Sequence, residues 1–153
     1  MLAASLFSLV PLTCLNGQQT LSFQIHTLAM VFADRFVGGG AGLSVRPPGM
    51  SGVYLNASAG DLGGSFAGRF EGLATFHLNP ERQKGFTPYV AGGIAANLSR
   101  PANRGYIEIL MGIEERPGRR SGLFLELGLG GGMRLAAGYR LRSGKGISRG
   151  RQP

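Results

Sequence analysis

The sequence predicts an all-β fold, an eight-stranded antiparallel up-and-down β-barrel. Three observations predict it. From Gln18 onward, apolar or small residues alternate with polar ones at period two, in segments of roughly ten residues. Gly, Pro, Asn or Asp bounds the segments. No helical period follows residue 17. Eight such segments joined by short turns make a meander, and closing it removes the two exposed edges. The 153 residues suffice for one domain.

Each segment sorts into two faces, because successive strand side chains point opposite ways. The first spans 21–33 and sets Leu21, Phe23, Ile25 and Val31 against Ser22, Gln24 and His26; Asp34-Arg35 turns the chain. The second, 36–46, sets Val37, Ala41, Leu43 and Val45 against Gly38, Gly40, Gly42, Ser44 and Arg46, and Pro47-Pro48-Gly49 ends it. The third, 52–61, opposes Val53 and Leu55 to Tyr54 and Asn56. The fourth, 65–78, opposes Phe66, Phe70 and Phe76 to Arg69, Glu71 and His77, and residues 79–85 form a polar turn. The fifth, 86–99, opposes Val90, Ile94 and Leu98 to Tyr89 and Asn97. The sixth, 105–115, opposes Ile107, Ile109, Met111 and Ile113 to Glu108 and Glu114. The seventh, 122–130, opposes Leu123, Leu125, Leu127 and Leu129 to Phe124 and Glu126. The eighth, 133–142, opposes Leu135, Tyr139 and Leu141 to Arg134, Arg140 and Arg142.

The segments flanking this array read differently. Residues 2–15 form an apolar run with no charge, too short for a spanning helix and matching the h-region of a secretory signal. Residues 1–17 are therefore a signal-like segment, 18–142 the barrel domain, and 143–153 a basic tail read as disordered. Cys14 is the only cysteine, so neither an intrachain disulfide nor a Cys-based metal site is available. A lipid anchor on Cys14 is a weaker alternative, because Thr13 stands where a lipobox wants a small residue.

The net charge of +8 raises nucleic acid as a partner. Only two of the sixteen cations are Lys, and no basic face interleaved with aromatics occurs, so no nucleic acid is expected. Charged residues are 16%, below the ~25% of a typical soluble domain, while hydrophobic residues at 43% argue against disorder.

Alternation alone permits two opposite proteins. A soluble barrel hides its apolar face and carries a small hydrophobic ligand; a membrane barrel turns that face to lipid. Three features favour the membrane. The apolar face carries a single charge, Glu115 at a segment end, as lipid requires when a midplane Arg or Lys costs about 2–4 kcal/mol. The other face holds small residues and charges of both signs: Arg46, Arg69, Arg134, Arg140 and Arg142 with Glu71, Glu108, Glu114 and Glu126. An eight-stranded bore is just wide enough for such chains, which must pair there, and Arg pairs with carboxylate better than Lys does. Third, the signal-like segment implies export. These nine residues are the expected lumen ion-pair network. A last hairpin turning about Gly130 would set Glu126 opposite Arg134, so that Glu126→Leu would leave Arg134 unpaired.

Strand count, face polarity and the last segment, Gly131-Gly-Met-Arg-Leu-Ala-Ala-Gly-Tyr-Arg-Leu-Arg142, give the chain its likeness: it resembles the small eight-stranded outer-membrane β-barrel proteins of diderm bacteria. It departs from them in its short loops and in having no aromatic residue at its end. The resemblance implies outer-membrane localisation, with outer-membrane lipid and the barrel-assembly machinery as partners. It implies a structural or interaction role in the cell envelope. The alternative is a periplasmic or secreted soluble barrel.

No catalytic or cofactor site is expected. The triplets Gly38-Gly39-Gly40 and Gly130-Gly131-Gly132 fit neither phosphate-loop pattern, and no helix follows them. His26 and His77 fall on the polar face without a metal-ligand spacing and read as polar filler. No His-x-Ser element of the lipid-modifying barrels occurs, nor G-x-S-x-G.

Overall fold

The computed structural model describes residues 20–32, 35–47, 49, 51–79, 85–100, 102–115 and 119–143. The signal-like segment, Cys14, Asp34 of the first turn, Pro48 and the tail beyond Ser143 lie outside the described residues, as does most of the polar turn after the fourth strand. Eight strands follow in chain order: β1 Thr20–Val31, β2 Phe36–Arg46, β3 Ser51–Leu62, β4 Ser65–His77, β5 Phe86–Ser99, β6 Arg104–Glu115, β7 Ser121–Leu129 and β8 Met133–Ser143. Each pairs antiparallel with its sequence neighbours, and β1 closes on β8 from Leu21↔Ser143 to Val31↔Met133. The fold is the closed up-and-down barrel that the alternation predicts. Two hairpins depend on glycine at their turns: Gly63 and Gly64 between β3 and β4, and Gly131 and Gly132 between β7 and β8, all with positive φ.

The faces divide as the period-two pattern requires. Leu123, Leu125, Leu127 and Leu129 stand outward and exposed, while Phe124 and Glu126 between them are buried. The same holds on β4, where Phe66, Phe70 and Phe76 face out and Arg69, Glu71 and His77 face in. The exterior is therefore a continuous apolar wall. One addition to the sequence reading is Asp61, which stands exposed on this face, at the opposite end of the barrel from the half-buried Glu115. It is tolerated because it sits at the end of β3, where its Oδ1 accepts the Gly64 amide at 2.9 Å and closes the turn.

The inner face is less uniformly polar than its sequence suggests. Leu28, Met30, Phe36, Ala67 and Ala136 pack into an apolar plug, with Leu62 against it, near the end of the barrel opposite the described chain ends. A second apolar cluster joins Tyr54, Leu73, Tyr89, Ala91 and Leu110. Room for these chains comes from glycines on facing positions. Gly112 pairs with Tyr89, and a Cβ there would meet the ring Cε1 and Oη at 2.8 and 2.7 Å. On β2, a Cβ at Gly42 would meet the backbone oxygen of Leu55 at 2.7 Å and the Asn56 side chain.

This packing predicts that Gly112→Val displaces the Tyr89 ring and destabilises the barrel by about 1–3 kcal/mol. Urea unfolding of the refolded protein in lipid vesicles measures it. An unchanged midpoint would show that the ring does not need the glycine.

Candidate functional site

The candidate site is the lumen, where every second residue of eight strands converges. Arg69 and Arg134 lie at its centre with no exposed surface. Arg69, projecting from β4, donates from Nε to Glu71 Oε1 at 2.7 Å and from Nη1 to Asn97 Oδ1 at 2.8 Å. Its Nη2 reaches Glu108 Oε2 at 2.6 Å. Arg134, on β8, donates from Nη1 to Glu126 Oε2 at 2.8 Å and from Nη2 to Glu71 Oε2 at 3.0 Å. Its Nε also lies 2.8 Å from Glu108 Oε1, a charge contact without hydrogen-bond alignment. Five of the expected residues thus form one buried network, Arg69, Arg134, Glu71, Glu108 and Glu126. Charge-assisted bonds of this kind offset the loss of water around each ion.

Three more gather toward the mouth where the described chain ends lie. Glu114 on β6 accepts from Arg140 Nη1 at 2.5 Å and from Arg142 Nη2. The Arg140 guanidinium carbon sits 4.9 Å from the centre of the Phe124 ring and 5.8 Å from that of Tyr89, within cation–π range. Arg142 also donates from Nη1 to the Arg119 carbonyl at 3.0 Å. The ninth residue, Arg46, lines the same mouth half-buried.

Neutral side chains join the two groups. Arg140 Nε donates to Gln24 Oε1 at 3.0 Å, Gln24 Nε2 to Asn56 Oδ1 at 2.6 Å, and Asn56 Nδ2 to Glu71 Oε2 at 3.1 Å. Tyr89 donates its hydroxyl to Glu126 Oε1 at 2.5 Å, with the Tyr54 hydroxyl at 3.4 Å from the same oxygen. Sequence reasoning placed Gln24, Asn56, Tyr54, Tyr89 and Asn97 on the correct face but did not enrol them in the network. For Gln24, Asn56, Tyr89 and Asn97 the available signal was register, since each lies on a strand adjacent to, or one removed from, its charged partner; Tyr54 on β3 reaches Glu126 on β7 across the bore, which register does not show. His26 shares a 2.8 Å hydrogen bond with Ser58, and His77 stacks on Tyr89 with ring centres 5.3 Å apart. Among the described residues no group of three or more His, Cys, Asp or Glu is placed to hold a metal ion.

Solved structures similar to this chain include bacterial outer-membrane barrels. The N-terminal β-barrel domain of Pseudomonas aeruginosa OprF matches with a TM-score of 0.67 at 14% identity, over 83% of this chain and 99% of that one. The chain has the fold of the eight-stranded bacterial outer-membrane barrels. OprG, an outer membrane protein of the same organism, matches with a TM-score of 0.50 at 9% identity, over 84% and 97% of the two chains. The de novo designed TMB2.3 matches at 0.57 and 19% identity, over 86% and 99%. At these identities the likeness is one of fold. No family model and no curated relative matches the chain.

The last hairpin differs from the sequence expectation. It pivots about Gly131, so Arg134 pairs with Gly128 and Glu126 with Ala136. The cause is that Gly130, Gly131 and Gly132 all fall in the turn, with the Gly130 amide donating to the Gly132 carbonyl at 3.0 Å. Glu126 still reaches Arg134, but diagonally. Arg134 also holds Glu71 and Glu108, so Glu126→Leu does not strand it. The groups left without their partner would be Arg134 Nη1 and the Tyr54 and Tyr89 hydroxyls.

Glu71 is the hub, accepting from Arg69, Arg134 and Asn56. Glu71→Leu is therefore expected to cost about 3–5 kcal/mol. Glu126→Leu should cost less, about 1–3 kcal/mol. Urea titration of both variants ranks them; a larger loss for Glu126→Leu would refute this division of labour.

Proposed function

We propose that the chain is a non-catalytic outer-membrane β-barrel protein whose filled lumen holds an ion-paired core, serving a structural or interaction role in the cell envelope. The observation that carries this reading is the exterior. In the described strands, exposed charge occurs only at Asp61 and Arg104, both at strand ends, while large apolar side chains cover the wall between. In water such a surface would drive association, and in hydrocarbon it is the required solvent match. The likeness to OprF and OprG supports the same compartment. Outer-membrane lipid would be its solvent, and the barrel-assembly machinery its route there.

The soluble-carrier alternative finds no support in the lumen. A carrier's pocket needs about 300 Å³ or more of mostly apolar space. Here Arg69, Arg134, Tyr54 and Tyr89 fill the axis. The same filling supports a plug rather than an aqueous channel, and the Ser58–His26 pair lies buried, with no partner on His26 Nδ1 to orient the ring as a catalytic base needs.

The expressed protein should pellet with outer membranes, resist alkaline extraction, and migrate faster on a gel unheated than boiled. Leu125→Arg places a charge in the middle of the exposed β7 row and should weaken insertion by about 2–4 kcal/mol. A protein that stays in the soluble fraction, or a Leu125→Arg variant that inserts as well as its parent, would rule the reading out.

A further inference from the structure

The mouth of the lumen contains a second feature that the ion-pair core does not use. A cavity of about 20 Å³ opens there among Ser22, Ser44, Arg46, Thr75, His77 and Arg140. That is room for one solvent-sized sphere. Arg140 is 5% exposed, yet its Nη2 has no hydrogen-bond partner. His77 is 4% exposed, and neither of its ring nitrogens has one. Its Nε2 lies 3.9 Å from Glu114 Oε2, beyond hydrogen-bond reach. Buried donors are not left this way without cost, so the cavity wants an acceptor.

Charge decides which acceptor. Among the described residues of the inner face, three guanidiniums stand at the mouth, Arg46, Arg140 and Arg142, with one carboxylate, Glu114. The central network runs the other way, with Arg69 and Arg134 against Glu71, Glu108 and Glu126. Crediting that surplus carboxylate to the mouth still leaves the described inner face with one more guanidinium than carboxylates. A water molecule would satisfy the donors and leave the charge. A monovalent anion of similar size would satisfy both. Ser22, Ser44 and Thr75 add hydroxyls able to turn a proton inward. The cavity is too small for the four oxygens of a phosphate.

We infer that the cavity bounded by Arg46, His77 and Arg140 is a halide site, taking one chloride ion as the counter-charge of the lumen. The site belongs to the lumen and holds whatever membrane the barrel occupies. Its donors come from β1, β2, β4 and β8, so the ion ties together strands on both sides of the closing seam.

The test uses the full chain refolded in zwitterionic micelles at constant ionic strength, with chloride exchanged for gluconate. Chloride should raise the melting temperature by several degrees, since a ligand bound only to the folded state stabilises it. The chloride-35 NMR line should broaden in excess of a denatured control. Arg46→Gln makes no cut in the central network, so the barrel should keep its heat-modifiable migration while losing at least ten-fold of the excess broadening. Thr75→Val, nearly isosteric, should weaken it as well and serves if Arg46→Gln fails to fold. Arg119→Gln, on the exposed loop, should leave the broadening intact. The inference is overturned if gluconate or sulfate reproduces the thermal shift, if the folded protein shows no excess broadening, or if Arg119→Gln abolishes it equally.

Discussion

An eight-stranded barrel has a bore too narrow to carry bulk water, so any charge on its inner wall must be neutralised by another side chain or a bound ion. The composition of the inner face follows from that constraint. Guanidinium suits it because one planar group can engage several carboxylates, and Arg134 contacts Glu71, Glu108 and Glu126 at once. Such reach needs space, which the glycines of β2 and Gly112 of β6 provide. Tyr89 then bridges to Glu126 over the bare backbone of Gly112, and Asn56 carries the network to Gln24 past Gly42.

The two ends of the lumen solve the same filling problem differently. Near one end Leu28, Met30 and Phe36 close the bore with apolar volume, which needs no partners. Toward the other, Arg46, Arg140 and Arg142 keep it polar. Replacing buried ion networks with apolar residues of equal volume is often neutral or stabilising. The apolar plug shows that this fold can accept such filling. Filling the bore therefore does not by itself require five arginines.

Much of this was legible in the sequence, because period two is a property of one strand at a time. The assignment of Leu125 outward and Glu126 inward needs no knowledge of neighbours, and eight such strands admit few arrangements. Contacts across the bore are a different kind of fact. Arg134 meets Glu71 across 63 positions of chain, and Arg140 meets Gln24 across 116. Those meetings depend on the stagger of every hairpin between them. The last hairpin illustrates the sensitivity: moving its pivot from Gly130 to Gly131 shifts the partner of Arg134 by two residues. The apolar plug was missed because Leu28 and Met30 follow Thr20, Ser22, Gln24 and His26 on the same face of β1, and a face average hides a change along the strand.

The same alternation that makes the two faces also locks them. A one-residue slip of β4 would turn Arg69 and Glu71 to the outer wall and Phe70 into the bore. On the lipid side the arginine alone would cost about 2–4 kcal/mol at the midplane. Inside, the same slip takes Glu71 from Arg134 and Arg69 from Glu108, so buried charges keep fewer partners. A slip in a barrel with an apolar filling would forfeit packing but strand no ion. The ion-paired lumen thus penalises every odd register twice, once in each solvent. Its contribution is to the uniqueness of the barrel more than to its depth of stability, and the apolar exterior and charged interior are one device rather than two.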